Sequence, residues 1–206
     1  YLGLTIYKEL ITNNIWSQQR KSYGYKDVSP YELLINFAGS PYIDLRTDLN
    51  SFLPKNMPFK LGDKIINNSL NLLKKKPYLH DKIEFECINT CLSIDTKDKV
   101  KFLNKKEKNI YLNELRKITN NAINEKLLNK EINNIKSFSK NLKEIKEKKI
   151  NTIQKIFYIN YLTKKKASLP FAGLARIAFI STKILKYLNK IGLIENEYLR
   201  IFFSKI

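Results

Sequence analysis

Few residues in this 206-residue chain have the types and spacing that chemistry needs. His80 is the only histidine, in Tyr78-Leu79-His80-Asp81-Lys82. Such a residue can act as a general base or carry a phosphoryl group; it can equally be a loop residue between a helix and a strand. Cys87 and Cys91 are four apart. With one histidine available they lack the ligands a zinc site requires, so no metal site is expected and both read as core or sheet cysteines. Asp44, Arg46 and Asp48 share one face of an expected strand, and Glu84 and Glu86 share a face of another. Paired, these strands would bring carboxylates and an arginine together, either to orient a phosphate or Mg²⁺ or as cross-strand ion pairs. Arg176 lies inside the most apolar helical stretch, so it must be paired or face a cleft. No Ser/His/Asp or Cys/His set can be assembled, and there is no glycine-rich phosphate loop.

The elements that must position these residues follow from periodicity. Leu4, Ile6, Tyr7, Leu10, Ile11 and Ile15 predict a helix over 2–20, broken by Ser22-Tyr23-Gly24-Tyr25. Tyr31 to Phe37 is a short apolar run, followed by a turn signal at Ala38-Gly39-Ser40-Pro41 and alternation over 42–49, which together predict a hairpin. Residues 61–75 predict an amphipathic helix stopped by Pro77, and 81–94 alternate as a third strand. Residues 106–128 and 130–162 follow as helices with near-heptad apolar spacing, a hairpin resembling a coiled coil. Ser168 and Pro170 read as the N-cap and first turn of a new helix over 171–191, with Gly192 after its end. Gly173, inside that helix, reads as a point of close backbone packing. A short helix over 195–203 ends the chain. The fold class is α+β: a small antiparallel sheet in the first half, and a helix-dominated second half with a long helical hairpin. The division falls into a mixed part, 1–104, and a helical part, 105–206.

Composition bounds the partners. There are 38 Lys+Arg against 19 Asp+Glu, a formal charge of +19. That excess first suggests nucleic acid. Yet only Arg20, Arg46, Arg116, Arg176 and Arg200 are arginines, whereas nucleic-acid readers favour the planar guanidinium fork. Residues 1–60 carry seven basic and five acidic side chains; residues 111–166 carry fourteen and five. The excess therefore reads as a solvated helical face in a chain rich in Lys, Ile and Asn, and nucleic acid is disfavoured as a partner. No uncharged apolar run of 18 residues exists, so no membrane span is expected, and two free thiols suit a cytoplasmic setting.

Four blocks carry a resemblance. They are Ile6 to Thr12 with Ile15-Trp16, Arg20 and Tyr23-Gly24-Tyr25; Pro41 to Arg46 with Asn50-Ser51-Phe52-Leu53-Pro54; Leu79 to Glu86; and Leu169 to Arg176. In this order they resemble the middle region of bacterial PEP/pyruvate-binding proteins related to phosphoenolpyruvate synthase and pyruvate phosphate dikinase. In such proteins an ATP-binding domain phosphorylates a histidine on a mobile domain, which passes the phosphoryl group to pyruvate. The resemblance implies ATP and Mg²⁺ for the full-length protein, with none bound by this portion. It implies neighbouring ATP-binding and phosphohistidine domains as partners. The glycine-rich Thr/Ser-His motif is absent, so His80 does not inherit the phosphohistidine role and no catalytic residue carries over. The chain reads as an internal fragment, inactive alone, as its lack of an initiator Met also suggests. Asp44, Arg46, Asn50, His80, Asp81, Glu84, Glu86 and Arg176 are its candidates for a cleft or domain interface. The competing readings are a lysine-rich nucleic-acid-associated protein and a helical protein–protein interaction module.

Overall fold

A computed structural model describes residues 2–13, 15–29, 31–92 and 99–205. The chain is α+β, with helices dominating. The first helix, α1 (Leu2–Tyr7), widens into a π-turn at Lys8–Thr12, and α2 (Ile15–Ser22) follows. Gly24, at φ +100°, ends α2. The amide of Gly24 donates to the Lys21 carbonyl and that of Tyr25 to the Arg20 carbonyl, each at 3.1 Å. This left-handed cap folds Tyr25 back beside Arg20. Tyr25 then bridges to Pro54, with Lys26 donating to Leu53 at 2.7 Å and Lys55 to Gly24 at 2.9 Å.

The expected hairpin is present. β1 (Leu34–Phe37) pairs antiparallel with β2 (Ser40–Ile43), in register Leu34 to Ile43, across a tight turn in which Ala38 and Gly39 both have positive φ. Its second strand is shorter than the alternation over 42–49 predicts. The Asp44 carboxylate accepts from the Arg46 and Thr47 amides and starts a helix, α3 (Leu45–Ser51). This N-cap satisfies donors the helix would otherwise leave open, and it overrides the strand-like pattern. α4 (Phe59–Lys75) matches the predicted amphipathic helix and ends before a single 3₁₀ turn at Pro77–Leu79.

The third strand is not found among the described residues. Ile83 to Glu86 form a one-turn helix, α5, and the sheet has two strands; Ser93 and Ile94, the end of the expected strand, lie outside the described residues. Ile83, Cys87 and Ile88 are buried because a single helical turn puts them on the core side. The cysteines are therefore core and loop residues, and both are free thiols.

The near-heptad stripe is cut into separate helices by asparagine caps. Asn104 and Glu107 form a capping box for α6 (Lys105–Ala122), Asn124 caps α7 (Glu125–Glu147), and Asn151 and Gln154 cap α8 (Thr152–Thr163). α6 faces the main core through Tyr111, Leu115, Ile118 and Ala122. No new helix begins at Ser168: its backbone is helical and its side chain caps nothing. α8 runs through a π-turn, Lys164–Ser168, into α9 (Leu169–Lys190), one continuous helical path. The widened turn just before Pro170 accommodates a residue with no N–H to donate and a ring that crowds the preceding turn. Gly192, at φ +79°, closes α9 as predicted, and α10 (Asn196–Ser204) follows.

The main core joins Tyr23, Tyr25, Phe52 and Leu53 to α4, α5, α6 and Ile180 of α9. α9 packs against both α2 and α7, so it is the beam on which the first and second halves meet.

Candidate functional site

The site lies where α9 crosses α2. Arg176 is 3% exposed. Its Nε and Nη2 both donate to the Tyr25 hydroxyl, at 2.8 and 2.6 Å, and its Nη1 donates to Glu84 Oε1 at 3.2 Å. Arg20 Nη1 donates to Asp48 Oδ1 at 2.7 Å and to the Ser51 hydroxyl. Both guanidinium groups lie against one ring: their central carbons are 3.5 Å (Arg20) and 5.1 Å (Arg176) from the Phe52 centroid. Arg20 also lies 4.5 Å from the Trp16 ring. Two like charges share this space because each has its own carboxylate, Asp48 or Glu84, and an aromatic face. Burial lowers the Arg20 pKa, and Asp48 opposes that shift.

A cleft of about 550 Å³ opens beside this cluster. Its polar end carries Gln19, Arg20, Glu84 and Arg176, and its walls include Trp16, Ile135 and Phe171. Gln19 is buried, and its Nε2 has no hydrogen-bond partner among the described residues. A second polar spot lies deeper in the α2–α7–α9 junction. A methyl group on Gly173 would sit 2.8 Å from the Tyr23 hydroxyl and 3.2 Å from Glu131 Oε1. Gly173 thus makes room for two polar side chains, and not for another backbone as its position in the sequence suggests. Burial raises the pKa of both Glu131 and Tyr23.

Of the residues singled out from the sequence, the structure brings two together directly, Glu84 and Arg176. The expected face of Asp44, Arg46 and Asp48 does not form. Asp44 caps α3, and Arg46 turns to Asp63 and Asn67 on α4, while Asp48 alone reaches the cluster through Arg20. Asn50 donates to the Arg46 carbonyl within α3. His80 is exposed, with Nδ1 3.1 Å from the Pro77 carbonyl oxygen, and it borders a separate cleft with Arg46. Asp81 is exposed, and Glu86 lines a third cleft with Lys75 and Lys99. Among the described residues no group of three metal-ligating side chains exists.

Sequence reasoning missed Arg20, Tyr25 and Gln19. One signal pointed to Arg20: in a chain that uses lysine almost everywhere, it is one of five arginines. Two of those five meet at Phe52. No family model matches the chain, and neither a curated protein nor a solved structure is detectably similar to it.

Proposed function

We propose that this chain is the non-catalytic central portion of an ATP-dependent phosphotransferase related to phosphoenolpyruvate synthase and pyruvate phosphate dikinase. The observation that carries the reading is convergence. The four blocks that resemble that family are far apart in sequence, yet each supplies part of one cluster. Arg20 and Tyr25 come from the first, Ser51 and Phe52 from the second, Glu84 from the third and Arg176 from the fourth. Residues that share a buried hydrogen-bonded cluster are constrained together, so a cluster of this kind is where family-like sequence would concentrate. The rest of the family's machinery, the ATP-binding and phosphohistidine domains, belongs in this reading to neighbouring parts of a longer polypeptide.

An exposed apolar face supports the same reading. Ile153, Ile156, Phe157 and Tyr161 recur at helical spacing on α8, and each is more than 60% exposed. A contiguous apolar face on a folded body is a surface that something covers. Residues 152–190 are also long and apolar enough to cross a bilayer by length and composition. Yet Arg176 within them is buried against Tyr25 and Glu84, as in a helix of a globular body, and the proposed setting is cytoplasmic.

The test is isolation of the native polypeptide that carries this sequence. The reading expects a species larger than 24.2 kDa that converts ATP to AMP and labels a histidine outside residues 1–206. A native species of this chain's own mass, or a label on His80, overturns it.

A further inference from the structure

We propose that the cleft between α2, α7 and α9 binds a small monocarboxylate with an apolar body. Its carboxylate would lie at the Gln19 and Arg20 end, and its body against Trp16, Ile135 and Phe171. The inference stands apart from the phosphotransferase reading, since it rests on the geometry of the cleft alone.

The polar end offers donors without a partner among the described residues. Arg20 spends Nη1 on Asp48 and Ser51, and its Nε and Nη2 make no hydrogen bond among the described residues. The adjacent Gln19 Nε2, on a side chain 4% exposed, is also without a partner among the described residues. A buried donor left open costs free energy, so such groups mark a place for an acceptor. A carboxylate matches the open edge of a guanidinium in shape and charge. Arg176 offers no such edge, because Nε, Nη1 and Nη2 are all engaged.

Charge limits the ligand to a single negative group. Arg20 and Arg176 are already balanced by Asp48 and Glu84, and Glu84 itself borders the cleft. A phosphate or dicarboxylate would bring a second charge against Glu84. The apolar walls require a hydrocarbon or aromatic body, and about 550 Å³ lies within the size range of small-molecule sites.

The experiment uses Trp16, the only tryptophan in the chain and part of the cleft wall. Its fluorescence is followed during titration with 3-phenylpropionate, decanoate, 3-phenylpropanol and inorganic phosphate. The proposal expects saturable changes with the two carboxylates, at Kd of about 1 mM or below, at least about tenfold weaker binding of the alcohol, and none of phosphate. Ala172→Phe, which fills the cleft without removing a hydrogen bond, should abolish the response, and Gln19→Leu should weaken it about tenfold. Circular dichroism checks that both variants fold. If Gln19→Leu fails to fold, Ala172→Phe and the alcohol decide the matter. Equal binding of alcohol and carboxylate, an unchanged response in folded Ala172→Phe, or no saturation by either carboxylate at about 10 mM overturns the proposal.

Discussion

Arg176 on α9 and Tyr25 after α2, 151 residues apart, share one hydroxyl: the guanidinium donates to Tyr25 Oη twice, at 2.8 and 2.6 Å. The third hydrogen bond of Arg176 goes to Glu84, so one side chain ties the helical second half to two segments of the first. Removing it leaves a phenol and a carboxylate without their donor. Arg176→Ala is expected to destabilise the fold by about 2–3 kcal/mol, below the figure for a fully buried pair because Glu84 is partly solvated. Lys143→Ala on the exposed face of α7 should change stability by less than about 0.5 kcal/mol. Urea denaturation of the two variants compares them directly; equal midpoints would deny Arg176 its joining role.

Gly173→Ala should destabilise the protein even though alanine favours helix. The propensity gain is about 1 kcal/mol. Against it, the new methyl would lie 2.8 Å from the hydroxyl of fully buried Tyr23, and overpacking of that kind costs about 1–3 kcal/mol. Tyr23→Phe removes the clashing oxygen. The double variant Gly173→Ala with Tyr23→Phe should therefore melt higher than Gly173→Ala alone. A lower melting temperature for the double variant would contradict the packing described.

Glu131 makes stability depend on pH. Burial raises its pKa above the ordinary value of 4.5, so the folded state holds the proton more tightly than the unfolded chain does. The sign follows: this contribution is fully present below pH 4.5 and is lost as pH rises through the raised folded value. Glu131→Gln keeps a neutral group at all pH values. Its stability advantage over the parent should grow between pH 5 and pH 8, read from urea midpoints at both. A constant difference across that range would mean that Glu131 ionises as freely folded as unfolded.

The face of α8 should be separable from the fold. Phe157 is 71% exposed and Ile153 67% exposed. Phe157→Glu and Ile153→Glu should leave the melting temperature within a few degrees of the parent, since surface changes rarely exceed about 0.5 kcal/mol. Any self-association that the parent shows in sedimentation should weaken in both. Unfolding of either variant would mean that the face is part of the core.

Much of this architecture was legible because long amphipathic segments announce themselves. α4, α6 and the Gly192 cap needed only periodicity and one glycine. What failed were short segments. Alternation over 42–49 looked like a strand, yet Asp44 capped a helix there; an eight-residue pattern cannot separate the two when a cap residue sits near its start. Ile83 to Glu86 failed for the same reason, as one turn leaves no period to count. Ser168 and Pro170 misled because a π-turn lets the helix pass through a proline. For the site, burial of a charge within apolar sequence was enough to find Arg176. Its partners were not readable from sequence, because Tyr25, Arg20 and Phe52 meet it only through the Gly24 cap and the Tyr25–Pro54 bridge.

The most direct test of the convergent cluster is a double-mutant cycle between Tyr25→Phe and Arg176→Gln, measured by urea denaturation. Two side chains so distant in sequence couple only if the segments meet as described. The account predicts a coupling energy of about 1–3 kcal/mol, whereas effects that add to within about 0.3 kcal/mol would contradict it.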